Sequence, residues 1–92
     1  MSTKTSPLRI EDYLKTDEDI KEFLRELAST GTYSDLIHGI ATASRAKGMT
    51  TVAKQAGVTR ASLYKSLADD GNPRFETINR IVEALGCKIT IV

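Results

Sequence analysis

Apolar residues recur at helical spacing in three long segments of the chain. The first segment has the i, i+3, i+4, i+7 pattern of an amphipathic helix and follows Thr16, whose hydroxyl suits an N-cap. A second helix is predicted from about 34 to 46, before Gly48, and a last helix ends at Gly86. The apolar positions of the first and last helices are Ile20, Phe23, Leu24 and Leu27, and Phe75, Ile78, Ile81, Val82 and Leu85.

Two shorter helices are predicted between these long ones, over about 50–56 and 59–68, with Gly57 between them. The loop Asp69-Asp70-Gly71-Asn72-Pro73 follows, and then the last helix. The sequence therefore predicts an all-α protein with a compact five-helix domain over 10–92. Residues 1–9, which are polar and contain Pro7, are predicted to be a flexible arm.

The C-terminal residues alternate between apolar and other side chains, which predicts a short β-strand over about 87–92. A lone strand exposes unpaired backbone donors and acceptors, and a second copy of the chain is the simplest source of a partner strand. We therefore expect a two-fold dimer whose interface includes Cys87, Ile89 and Ile91. The alternative is a tail that packs as coil over the last helix.

The segment from Met49 to Ala68 has the residue pattern of a helix-turn-helix. Ala53 is small where the two helices approach, Gly57 suits a turn with positive φ, and Thr59 can cap the second helix. This spacing is typical of the motif that reads DNA with its second helix. The residues predicted to face the core are Val52, Ala56, Val58, Leu63 and Leu67. A helical hairpin used for protein contacts is the alternative.

The remaining side chains of the second short helix face outward and carry the predicted DNA chemistry. Arg60 can contact guanine through two hydrogen bonds, and Ala61 is small enough to touch a thymine methyl group. Hydroxyl and ammonium groups suit phosphates, which fix position without reading sequence. The predicted DNA-binding residues are Thr59, Arg60, Ala61, Ser62, Lys65, Lys54 and Tyr64. Tyr64 lies at the edge, where it either reaches a phosphate or completes the core.

Charge is distributed unevenly along the chain, although the formal net charge is only +1. Residues 1–35 carry eight acids and five bases, whereas residues 36–92 carry four acids and eight bases. No acid lies between Leu36 and Ala68, a stretch with five bases: Arg45, Lys47, Lys54, Arg60 and Lys65. Such a stretch favours a polyphosphate partner, although it is also compatible with an ordinary solvated basic face.

Composition disfavours several other classes of protein. With 92 residues the chain has room for one domain, and no apolar run approaches the ~20 residues of a membrane span. The N-terminus lacks the apolar core of a secretory signal, so a cytoplasmic protein is expected. Cys87 is the only cysteine, and His38, the only histidine, is expected to be partly buried and to have no acid that orients it. We therefore expect no enzyme activity, no cofactor and no metal site.

The chain resembles the probable addiction-module antidote family, HigA-related antitoxins with a lambda-repressor-like domain, in the segments AKGMTTVAKQAGVTRASLYKSL and GNPRFETINRIVEALG. The acidic lead EDYLKTDEDIKEFL also matches, so the resemblance covers about 10–92. The most distinctive pieces are Leu63-Tyr64-Lys65 and the Gly71-Asn72-Pro73 loop with Phe75 after it. Two positions depart from the wider superfamily: Met49 replaces a usual glutamine, and Ser66 replaces a larger apolar residue.

The resemblance implies an antitoxin that represses its own operon and binds a small toxin, often a RelE-like ribonuclease. It also implies that Thr59, Arg60, Ser62 and Lys65 contact operator DNA. Two alternatives stay open: a prophage-type transcriptional regulator without a toxin partner, and a protein-only module that neutralises a toxin without binding DNA.

Overall fold

The computed structural model describes residues 9–91, which contain one 3-10 turn followed by five α-helices. The turn spans Ile10–Tyr13, and the helices are α1 Asp17–Thr30, α2 Tyr33–Lys47, α3 Met49–Ala56, α4 Arg60–Ser66 and α5 Phe75–Ala84. The predicted all-α class with five helices is confirmed. The predicted N-terminal arm, apart from Arg9, lies outside the described residues.

Side-chain caps fix the starts of the two longest helices. Thr16 accepts a hydrogen bond from the Asp19 N–H, while Asp19 accepts one from the Thr16 N–H, which completes a capping box. Thr32 and Asp35 form the same arrangement before α2. The predicted Thr16 cap is therefore confirmed, and α2 begins at Tyr33 because Thr32 caps it.

Buried side chains from all five helices form the hydrophobic core. Helix α3 lies at its centre, because it packs against α2, α4 and α5, whereas α1 packs mainly on α2. Gly39 lets α1 and α2 approach closely, since a Cβ there would collide with the Leu27 side chain. The most deeply buried residues of this core include Val52 of α3, Leu63 of α4 and Leu85 at the end of α5.

The C-terminal residues 87–91 form no strand in the single chain. Cys87 is partly buried against the core, whereas the side chains of Ile89 and Ile91 are exposed, Ile91 by 97%. A β-strand needs a neighbouring strand for its hydrogen bonds, and residues 9–91 provide none. The predicted strand is therefore not confirmed over residues 87–91, and its pairing with a second copy stays a prediction. Val92 lies outside the described residues.

Acid is expected to destabilise the N-terminal third of the fold through two carboxylates. A hydrogen bond from Arg9 is the main cause that holds the pKa of Glu11 below its ordinary value. Hydrogen bonds from the backbone N–H groups of Lys15 and Thr16 likewise lower the pKa of Asp19. A depressed pKa stabilises the fold above the unfolded carboxyl pKa of about 4, and this stabilisation is lost as the pH falls through the lower folded pKa.

The free energy of unfolding should therefore fall between about pH 5 and pH 3, which urea unfolding at several pH values would measure. The variants Glu11→Gln and Asp19→Asn should each be less stable than the parent near neutral pH and less sensitive to acid. Variants that keep the full pH dependence of the parent would show that these carboxylates are not the cause.

Candidate nucleic-acid interface

Helices α3 and α4 are separate helices joined through a left-handed residue, Gly57. Its φ of 74° and ψ of 30° lie in the region that residues with a Cβ rarely adopt. The Val58 N–H then donates to the Ala53 carbonyl at 3.0 Å, which closes the end of α3. The chain turns at Gly57 and bends at Val58 before α4 begins.

Thr59 caps α4, as its hydroxyl position in the sequence predicts. Its Oγ1 accepts a hydrogen bond from the Ser62 N–H at 3.0 Å and lies 2.9 Å from Ser62 Oγ, to which its own O–H donates. The Thr59 hydroxyl is therefore engaged within the protein. The Ser62 hydroxyl accepts that bond and can still donate its own hydrogen to a phosphate.

The side chains of the α3–α4 pair divide into an inner and an outer set. The inner set contains the predicted core residues: Val52, Ala56, Leu63 and Leu67 are buried, and Val58 is half-buried against them. Ala53, predicted as the small residue where the two helices approach, is also buried. The outer set contains every predicted DNA-binding residue, and each is exposed: Lys54, Thr59, Arg60, Ala61, Ser62, Tyr64 and Lys65. Leu67 is buried, while Ser66 beside it is half-buried, so Leu67 supplies the packing that Ser66 lacks.

Arg60 and Tyr64 interact along the exposed face of α4. The Arg60 Nη2 donates to the Tyr64 hydroxyl at 3.2 Å, and the guanidinium carbon lies 5.3 Å from the ring centroid. The i, i+4 spacing brings the two side chains together, and a cation–π contact adds to the hydrogen bond. Tyr64 is 46% exposed, so it supports Arg60 at the surface and does not complete the core.

Three bases on the outer face of α3 and α4 have no carboxylate partner among the described residues. Of the five bases in the acid-free stretch, Arg45 pairs with Glu11 and Lys47 pairs with Asp17, each with a nitrogen–oxygen distance of 3.5 Å. Within residues 9–91, no carboxylate oxygen lies within 4.0 Å of the charged groups of the other three, Lys54, Arg60 and Lys65. This arrangement suits an anionic ligand on the outer face of the pair.

The loop after α4 is fixed by contacts that the sequence analysis missed. A Cβ at Gly71 would lie 2.6 Å and 2.8 Å from the carbonyl oxygens of Lys65 and Ser66, so only glycine fits against the end of α4. His38 Nε2 lies 2.9 Å from Asp69 Oδ1 across 31 positions of sequence. The expectation that His38 is partly buried without an orienting acid is therefore wrong: its side chain is 56% exposed and pairs with Asp69.

Other kinds of site have little support in the described part of the chain. Among residues 9–91, no three His, Cys, Asp or Glu side chains come together as metal ligands would. Burial raises the pKa of the Cys87 thiol, which disfavours the reactive thiolate. No helix in this range combines the length and apolar character that crossing a bilayer requires.

Removal of the Thr59 cap should loosen α4. Thr59→Ala is expected to lower the free energy of unfolding by about 1 kcal/mol, because the Ser62 N–H loses its acceptor. Thr50→Ala changes an exposed threonine of α3 and serves as the control, with an expected change below about 0.5 kcal/mol. Urea unfolding of both variants makes the comparison, and equal effects would contradict the assigned cap.

Comparisons with known proteins place the chain in a family. A family model described as "Probable addiction module antidote protein" matches residues 4–92. The chain is also similar to an uncharacterised protein of Haemophilus influenzae, with 26% identity over 91 residues that cover 99% of this chain and 94% of that protein. No solved structure matches the chain. Because the family model matches nearly the whole chain, the protein belongs to the family of probable addiction module antidote proteins.

Proposed function

We propose that this protein is a DNA-binding antitoxin that represses the operon encoding it and its toxin. The single observation that carries the DNA-binding part is the division of α4: Leu63 anchors the helix in the core, while Arg60 and Lys65 face outward without a carboxylate partner among residues 9–91. Family membership supports the antitoxin part. The protein acts by binding, without catalysis, and its place of action is the cytoplasm.

The proposed binding mode puts the first residues of α4 in the major groove. Arg60 donates two hydrogen bonds to the O6 and N7 atoms of a guanine, and Ala61 contacts a thymine methyl group. Ser62 and Lys65 bind phosphates and set the position of the helix. Tyr64 holds the Arg60 guanidinium near the groove until the base contact replaces the hydrogen bond between them.

Operator binding as a homodimer is supported by the exposed C-terminal tail. Residues 87–91 have no strand partner within the described chain, and Ile89 and Ile91 are exposed. Two tails paired antiparallel would bury both isoleucines and satisfy the backbone groups. The two α4 helices would then enter major grooves about one helical turn, ~34 Å, apart, so the operator would be an inverted repeat.

A cognate toxin is the second proposed partner, because the matched family is one of antidote proteins. The resemblance to HigA-related antitoxins favours a RelE-like ribonuclease. The N-terminal part carries the excess acid, eight acids against five bases over residues 1–35, and therefore complements a basic toxin surface.

Two measurements test the proposal. In a mobility-shift titration, a duplex from the region upstream of the gene should bind much more tightly than a scrambled duplex of equal length. Equal affinity for both duplexes would contradict specific recognition. Co-expression with the product of the neighbouring gene should restore growth and give a complex on size exclusion, and failure of both would remove the antitoxin role.

A further inference from the structure

Two carboxylates near the N-terminus lie against the two bases that precede α3. Glu11 Oε2 lies 2.8 Å from Arg9 Nη2 and 3.5 Å from Arg45 Nε, and the Glu11 side chain is only 17% exposed. Asp17 Oδ1 lies 3.5 Å from Lys47 Nζ. The 3-10 turn that carries Glu11 packs on α2, so Glu11 is held in place by tertiary structure. These pairs differ in this respect from the i, i+3 pairs along the outer face of α1.

Both neutralised bases directly precede the helix pair that carries the proposed DNA-binding surface. Arg45 and Lys47 belong to the last turn of α2, and Gly48 links that turn directly to α3. Gly48 offers no side-chain cap, so no side chain of the N-cap residue accepts from the first N–H groups of α3, which follow these bases directly in the chain. Without the carboxylates, this edge would concentrate positive charge and attract phosphates of any sequence.

We infer that Glu11 and Asp17 mask Arg45 and Lys47 from DNA phosphates and so make operator recognition depend on α4. The inference rests on the proposed DNA binding. Phosphate contacts raise the affinity for every sequence alike, whereas base contacts by α4 distinguish the operator. A carboxylate that already occupies a base competes with phosphate for it, so the mask lowers the affinity for random DNA and preserves the ratio of specific to random binding.

Glu11→Gln removes the negative charge of Glu11, the less exposed of the two carboxylates, and keeps the shape of its side chain. The affinity for a random-sequence duplex should rise about 3- to 10-fold at ~0.1 M salt, and the dependence on salt should steepen by about one released counterion. Arg45→Ala made in the parent should change the affinity for random-sequence DNA little, because Arg45 already pairs with Glu11. The same change made on top of Glu11→Gln should abolish the gain in affinity.

Glu22→Gln is the matched control, since Glu22 pairs with Arg25 on the outer face of α1 and the change in net charge is identical. If Glu11→Gln binds no more tightly than Glu22→Gln, or if its gain survives Arg45→Ala, the mask is refuted. A parent protein that shows no preference for its own upstream duplex would contradict the proposed function alone. The inference about Glu11 would be unaffected, because the affinities of the Glu11→Gln and Arg45→Ala variants are measured on random-sequence DNA. If circular dichroism shows that Glu11→Gln does not fold, the same comparison is made with Asp17→Asn, alone and combined with Lys47→Ala. The inference is overturned if Asp17→Asn does not raise the affinity for random-sequence DNA.

Discussion

Replacing Leu63 by alanine is expected to lower the free energy of unfolding by about 2–5 kcal/mol, which is a large part of the stability of a small domain. Leu63 is fully buried and is the only buried residue within α4. A helix of seven residues is unstable by itself, so α4 depends on this anchor to keep its outer face in position. The same variant should therefore also lose DNA binding under conditions in which the parent is folded.

Urea unfolding followed by circular dichroism would measure the loss of stability. Lys65→Ala, an exposed position of the same helix, is the matched control, with an expected change below about 0.5 kcal/mol. If Leu63→Ala were no less stable than Lys65→Ala, α4 would not be held by its buried side chain, and the division of the helix into two faces would lose its structural basis.

Replacing Arg60 by alanine is expected to remove most of the preference for the operator without unfolding the protein. The lost guanine contact corresponds to about 1–3 kcal/mol, or about 5- to 150-fold in the ratio of operator to random affinity. Stability should change little, because the Arg60–Tyr64 contact lies at the surface. Arg60→Lys should not restore the preference in full, since an ammonium group cannot reproduce the planar pair of donors.

Lys65→Ala provides the contrast for this second prediction. It should weaken binding to operator and random duplexes by a similar factor and reduce the salt slope by about one, because a phosphate contact carries no sequence information. Titrations of both variants against both duplexes at several salt concentrations separate the two roles. An Arg60→Ala variant that keeps the parent's preference would assign base recognition to other residues.

The local features of the fold could be predicted from the sequence because a few adjacent residues determine them. Gly57 requires a left-handed conformation at one position, and Thr59 needs only the N–H three residues later. The buried face of α5 follows from its 3.6-residue period. These features locate the candidate interface without knowledge of the tertiary structure.

The features that could not be predicted depend on residues that only the folded chain brings together. His38 meets Asp69 across 31 positions, and Glu11 meets Arg45 between the 3-10 turn and the end of α2. No local pattern indicates either pair. The predicted strand at the C-terminus is a different case, because its hydrogen-bonding partner would belong to another molecule.

In the proposed function, the outward residues of α4 bind operator DNA while its buried residues hold the helix on the core. Amide chemical shifts of the labelled protein, titrated with a duplex from the region upstream of its gene, test this most directly. The largest changes are expected over residues 59–65, with α1 little affected. Changes confined to α1, or no changes at any point of the titration, would contradict the proposed role of α4.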